Sequence, residues 1–344
     1  LYAPETKWTD DHTTTATSIS LNNLAPGYSY EVRVLGSGAE GGTWSAPVTG
    51  TVGGQAATPT QAAGFTDFMG GDFDGDGQDE VAVFSTYDGT WWVFEKSGTQ
   101  LVGTVWADFS TASGWSKRLV GDFTGDGKDD IANFHLSNGT WWVSRSTGTS
   151  FVTTLWADFS TASGWGHQLV GDFEGDGKDD IANFHPSNGT WWVSRSTGSS
   201  FVTTLWADFS TASGWQTQLV GDFTGDGKDD IANFHPSNGT WWVSRSTGTS
   251  LNTSLWADFS TATGWGPQLV GDFEGDGKDD IANFHSSNGT WWVSKSNGTT
   301  FSTYLSGSVS PGSGWKGQLA VDIDGDGDDD LVNWYPPAQV WAIR

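Results

Sequence analysis

The chain has 344 residues, no cysteine and a formal charge of −26. The missing cysteines exclude disulfides and thiol chemistry, and no apolar run reaches the ~18 residues of a membrane-spanning helix. A surface this acidic excludes nucleic acid as a partner and argues against anionic membranes, while 48 glycines and 23 tryptophans favour tight turns and strands over helices.

Residues 1–52 differ in pattern from the rest of the chain. No signal peptide is evident and the first residue is not Met, so the chain reads as a mature or trimmed product. Leu24-Ala25-Pro26-Gly27 precedes Tyr30, Val32 and Val34 at a period of two, and Trp44 to Val48 form a further strand-like run. This stretch resembles the second half of a fibronectin type III domain. The resemblance makes Tyr30 the corner tyrosine whose hydroxyl bonds back to the chain. The first two strands of that sandwich are missing, so residues 1–52 are expected to be a partial domain, with residues 53–64 as a Gly/Ala/Thr/Pro linker.

From residue 65 to 344 the chain repeats every 50 residues. Each unit holds one acidic loop, GDFTGDGKDD or GDFEGDGKDD in the middle four copies, GDFDGDGQDE in the first and VDIDGDGDDD in the last. In the third copy, Gln168 to Val170 enters the loop and Asp180 to His185 leaves it. Ser187-Asn188-Gly189 signals a two-residue hairpin turn, Thr190 to Val193 is a third strand, and Phe201 to Trp206 a fourth. Four short antiparallel strands per repeat predict β-propeller blades. Burial on both blade faces would let Trp191 and Trp192 both be core. Six copies predict six blades. The sixth copy ends at Arg344 after its third strand, so one blade is expected to be completed by a segment near 46–66 or by another molecule.

Oxygen-bearing residues at alternate loop positions are the donor set of a hard cation such as Ca²⁺. The expected ligands are Asp72, Asp74, Asp76, the Gln78 carbonyl and Glu80 in the first loop. In the second they are Asp122, Thr124, Asp126, the Lys128 carbonyl and Asp130, and in the third Asp172, Glu174, Asp176, the Lys178 carbonyl and Asp180. The fourth has Asp222, Thr224, Asp226, the Lys228 carbonyl and Asp230. The fifth has Asp272, Glu274, Asp276, the Lys278 carbonyl and Asp280, and the sixth Asp322, Asp324, Asp326, the Asp328 carbonyl and Asp330. Thr124 and Thr224 leave their loops one carboxylate short, so those two should bind more weakly. The loops hold 5, 4, 5, 4, 5 and 6 acids, 29 of the chain's 41, and six structural Ca²⁺ would reduce the charge from −26 to −14. Without metal, the crowded carboxylates should have raised pKa values.

These GDFxGDGxDD loops, each followed by an apolar strand, resemble the FG-GAP/VCBS repeats of bacterial extracellular proteins and integrin-α-type propellers. The resemblance implies calcium in the loops and an adhesive or ligand-binding role. Integrin-type propellers have seven blades, which leaves six or seven open here.

No catalytic constellation accompanies the loops. His135, His185, His235 and His285 recur with no nearby Ser or Cys that repeats as a plausible triad and read as packing residues, so no enzyme is expected. Trp106, Trp156, Trp206 and Trp256, and the Trp115 series that ends each S-G-W turn, read as inter-blade filling. Aromatic platforms for sugar rings are the alternative. Asn138, Asn188, Asn238 and Asn288 begin N-G-T sequons, and the hairpin turn explains them without glycosylation. The expected function is an extracellular, non-catalytic module binding glycans or extracellular proteins. The alternatives are a filament subunit or homo-oligomer assembled by strand exchange between incomplete ends, and an accessory module of a secreted hydrolase.

Overall fold

The computed structural model describes residues 29–32, 48–51, 65–97, 100–109, 115–159, 164–209, 214–215, 217–259, 265–308, 316–321, 327–335 and 340–343. Every regular element among them is a β-strand. The chain divides into two units, one of Leu1–Ser113 with Ser146–Val152 and the other of Gly114–Arg145 with Thr153–Arg344.

Each 50-residue repeat becomes one antiparallel meander, as its alternation of turn residues and β-branched or aromatic runs dictates. In the third repeat the strands are Gln168–Gly171, Asp180–His185, Thr190–Ser196 and Phe201–Asp208. Five such four-stranded sheets occur in the described residues, and the last sheet has three strands. These are the blades of a β-propeller, an all-β fold as expected.

The second strand shows why the sheets are stacked as layers. Asp180, Ile181, Ala182, Asn183 and Phe184 are all buried, which a sheet with one wet face could not arrange. Both faces of the strand are covered because the core is built between repeats. Phe173, Ala182, Phe184, Trp191, Val193 and Trp206 of the third repeat pack with Ile231 and Leu251 of the fourth. Trp191 is fully buried, its ring 4.9 Å from that of Phe184. The buried polar Asn183 is satisfied: its amide donates to Ile181 O at 3.0 Å and to Ser194 Oγ at 3.1 Å.

The fourth strand carries an irregularity that the amino-acid pattern did not announce. Trp191 pairs with Ala207 but Trp192 pairs with Leu205, leaving Trp206 as the extra residue of a β-bulge. A period of two from Phe201 would bury Leu205. The bulge moves the alternation by one residue, so Trp206 is buried while Leu205 is 48% exposed.

Two expectations are corrected. First, the turn between the second and third strands has four residues, Pro186 to Gly189, closed by the pair His185↔Thr190. Only Gly189 takes positive φ, at 74°. Asn188 instead spends its side chain on the turn, its Oδ1 accepting from Thr190 N at 3.2 Å and Thr190 Oγ1 at 2.7 Å. Second, the paired tryptophans are not equivalent. Trp92 is buried, but Trp142, Trp192, Trp242 and Trp292 are only half-buried. Each of these four donates its indole N–H to the Thr two residues earlier, as Trp192 does to Thr190 Oγ1 at 3.1 Å. Within the segment near 46–66, Val48–Thr51 pairs with Ser29–Val32 and the strand from Phe65 pairs with Glu80–Ser85, while residues 52–64 lie outside the described residues. The remainder of the expected fibronectin-like domain and the linker lie outside the described residues.

Candidate metal centre

Each of the first five loops is a tight backbone coil wrapped around its own first aspartate. In the third repeat Asp172 Oδ1 accepts from Gly175 N at 2.7 Å and Asp176 N at 3.0 Å, and Oδ2 accepts from Gly177 N at 2.7 Å. Asp176 Oδ1 accepts from Lys178 N at 3.1 Å. The same bonds recur from Asp122 and Asp222. Alternating carboxylates are thus held on the inner side of a turn whose N–H groups they satisfy, the Asx-type local bonding open to short acidic side chains.

In the first loop the arrangement closes further. Carboxylate oxygens of Asp72, Asp74 and Glu80 all lie within 4.8 Å of one another. Glu80 is buried, and its Oε2 accepts from Phe73 N at 3.0 Å. Burial, and then the charge of Asp74, pushes its carboxyl up to about 7.

In the third, fourth and fifth loops the last expected ligand is the informative one. Asp180, Asp230 and Asp280 are completely or almost completely buried. One oxygen of each accepts from a backbone N–H at 2.6–2.7 Å: Ser196, Ser246 and Ser296 respectively. The other, Oδ2, is buried without a hydrogen-bond partner. Burial pushes Asp180 and Asp230 up to about 8 and Asp280 up to about 7, with the neighbouring loop carboxylates adding to the rise. A buried carboxylate oxygen with no donor is costly. A divalent cation among these oxygens would satisfy the orphan and relieve the repulsion together. The oxygen-only donor set therefore fits a hard cation.

The third-position ligands diverge. Glu174 Oε1 is 2.7 Å from Arg195 Nη1, and Glu274 pairs with Lys295 and accepts from Tyr304 Oη at 2.8 Å. The extra carboxylate that distinguishes these loops from those with Thr124 and Thr224 is thus engaged by a cation of its own sheet. Asp328 and Asp330 lie within the described residues; Asp322, Asp324 and Asp326 fall outside them.

Two further loop positions matter that the ligand pattern passed over. The Phe after the first aspartate is an anchor: Phe123, Phe173 and Phe223 are fully buried, and Phe123 meets Phe201 of the next repeat edge-on at 5.6 Å. The first Asp of the Asp-Asp pair in the third to sixth loops is a connector. Asp179 Oδ2 accepts from Asp122 N at 2.9 Å, and Asp179 N donates to Asp122 O at 2.9 Å, so one loop grips the start of the preceding loop. Asp229, Asp279 and Asp329 repeat this on Asp172, Asp222 and Asp272. The readable signal was an Asp at the eighth position of all six loops with no ligand role to fill.

The histidines pack, as expected, each ring edge-on to the Trp of an S-G-W turn at 5.0–5.4 Å. Ser137, Ser187, Ser237 and Ser287 place Oγ 2.9–3.1 Å from His Nδ1, because the four-residue turn brings the residue at i+2 back over the ring. Trp106, Trp156, Trp206 and Trp256 are buried, in keeping with the packing reading. A cleft of about 320 Å³ lies between the third and fourth repeats, lined by Gly166, His167, Phe184, Pro186, Gly214, Trp215 and Gln218.

The sequence matches the FG-GAP-like repeat model over residues 72–133, 172–233 and 272–332, each span holding two successive loops. No curated protein matches the sequence. Among solved structures, the chain is similar to an Agrocybe aegerita lectin described as specifically recognising non-reducing terminal N-acetylglucosamine. The TM-score is 0.65 at 24% identity, over 78% of this chain and 74% of the lectin. Lower similarity is found to BBS1N in complex with ARL6DN (TM-score 0.43, 10% identity, 81% and 93% covered). The dihydro-heme d1 dehydrogenase NirN scores 0.44 at 12% identity, with 80% and 65% covered. With more than half of its length matched by that repeat model, arranged as four-stranded sheets, the chain belongs to the FG-GAP-like repeat family.

Proposed function

We propose that this chain is a non-catalytic extracellular binding module, stabilised by Ca²⁺ in its acidic loops and directed at carbohydrate. The observation that carries the ligand class is the cleft between the third and fourth repeats. Phe184, Pro186 and Trp215 give it apolar walls, and His167 and Gln218 line it as polar side chains. Apolar walls beside polar side chains suit a sugar, whose C–H face is apolar and whose edge carries hydroxyls. The likeness to a lectin fold supports the same reading. For the cation, the support is the buried orphan oxygens of Asp180, Asp230 and Asp280. Sites of this kind in extracellular modules are tuned to the high calcium outside cells.

The test is a glycan array in calcium-containing buffer, followed by calorimetric titration of the best glycan into the wild type, Trp215→Ala and Gln218→Ala. The expected result is saturable binding, weakened about tenfold or more by either substitution, the effect of losing roughly 1.4 kcal/mol of contact. An array without hits, or a hit indifferent to both substitutions, overturns the carbohydrate reading.

A further inference from the structure

The loops are mechanically joined, and the joints run through residues next to the expected cation ligands. Three contacts connect the third loop to the second. Asp179, adjacent to Asp180, exchanges two hydrogen bonds with the backbone of Asp122, the first residue of the preceding loop. Ser196 gives its N–H to Asp180 Oδ1 and its hydroxyl to Phe123 O at 2.5 Å, linking a buried carboxylate of one loop to the backbone of the other. The aliphatic stem of Lys178 lies over Gly125, where an added Cβ would stand 2.7 Å from Lys178 Cγ. The fourth loop repeats all three contacts on the third through Asp229, Ser246 and Lys228. The fifth loop repeats all three on the fourth through Asp279, Ser296 and Lys278.

There is no slack in these joints. Gly171 faces the Asp229 carboxylate so closely that a Cβ there would sit 2.5 Å from Asp229 Oδ2, and Gly121 and Gly221 face Asp179 and Asp279 in the same way. Ordering one loop therefore fixes the backbone from which its neighbour's first carboxylate projects.

Resting on the proposed cation binding, we propose that Asp179, Asp229 and Asp279 are positioning residues that couple adjacent loops, so that the row fills cooperatively rather than site by site. A cation that draws in Asp180 holds Ser196 and Asp179, and these hold the Phe123 and Asp122 backbone of the loop before it. The ordering cost of the second site is then partly met by the first, the origin of positive coupling between sites.

The experiment is Ca²⁺ titration of the metal-free full chain by calorimetry, with Tb³⁺ luminescence as a second probe. The wild type should fill with a Hill coefficient above one. Asp176→Ala, which removes an exposed ligand of the third loop, should cost one site and weaken the remaining ones by about fivefold, the low end for coupled sites. Asp229→Ala and Gly171→Ala should lower the Hill coefficient while the number of ions bound stays constant. Asp229→Asn, which keeps an acceptor for Asp172 N, should restore it. A merely structural Asp229 would alter the melting temperature and leave the Hill coefficient alone. Independent filling of the wild type, or unchanged affinity of the remaining sites in Asp176→Ala, overturns the coupling and leaves cation binding intact. Absence of any bound ion overturns both.

Discussion

At the scale of single residues, the unusual feature is a carboxylate placed where a carboxylate is expensive. Asp180 and Asp230 are buried and pushed up to about 8, Asp280 and Glu80 to about 7, from ordinary values of 3.8 for Asp and 4.5 for Glu. In each the folded value lies above the unfolded one, so without metal the folded state binds more protons between about pH 4 and 8. Linkage then sets the sign: the metal-free fold is most stable at the acid end of that window and loses stability as pH rises through it. Urea midpoints of the ion-stripped protein should fall steadily from pH 5 to pH 8. Asp180→Asn, which cannot ionise, should fall less steeply and should lose part of the stabilisation that calcium confers at pH 8. A midpoint that rises with pH in the stripped protein would refute the account. The loop's oxygens were legible in the sequence because alternate acids with glycine between them have few other uses. The orphan oxygen of Asp180 was not, since burial is decided by the neighbouring repeat.

At the scale of the element, the strand starts could be read to the residue, while the third and fourth strands run past the expected ends to Ser196 and Asp208. Asp180–His185 is a case in point, because turn residues bound every run in the repeat. What failed to read were features where a side chain substitutes for backbone geometry. Asn188-Gly189 resembles a two-residue hairpin signal, yet the amide of Asn188 caps a four-residue turn and only Gly189 takes positive φ. The bulge at Trp206 was equally hidden, for it obeys the preference for burying an indole over a leucine rather than any local signal. The turn yields a prediction. Asn188→Ala removes the acceptor for both Thr190 N and Thr190 Oγ1, and Trp192 Nε1 in turn donates to that hydroxyl. The cost should be about 1 kcal/mol, as for other lost side-chain caps, whereas Asn188→Asp keeps the acceptor and should cost less. Chemical denaturation of the two variants in saturating calcium checks this. Equal loss in both would mean that the side chain is incidental to the turn.

At the scale of the whole molecule, 41 acidic residues face 15 basic ones, and 29 of the acids lie in the loops. Two physical remedies for that repulsion make different predictions. If diffuse screening sufficed, any salt would stabilise the chain in proportion to ionic strength, since exposed charges farther apart than about 10 Å at 0.1 M are already screened. The trio Asp72, Asp74 and Glu80 lies within 4.8 Å, and the Asp180 carboxylate is inaccessible to solvent, so a diffuse ion atmosphere cannot reach the charges that matter. Direct ligation can, and it adds RT ln(1 + [L]/Kd) per site, about 2.7 kcal/mol at a hundredfold excess over Kd. The ligating ion should also be selected by size. A loop built from many carboxylate and carbonyl oxygens suits the flexible, high coordination number of Ca²⁺ better than the strict octahedron and tightly held water of Mg²⁺. Thermal melts of the stripped protein should therefore rise most in millimolar CaCl₂, less in equimolar MgCl₂, and least in NaCl of matched ionic strength. Equal shifts in all three would identify screening as the remedy and remove the reason for placing ions in the loops.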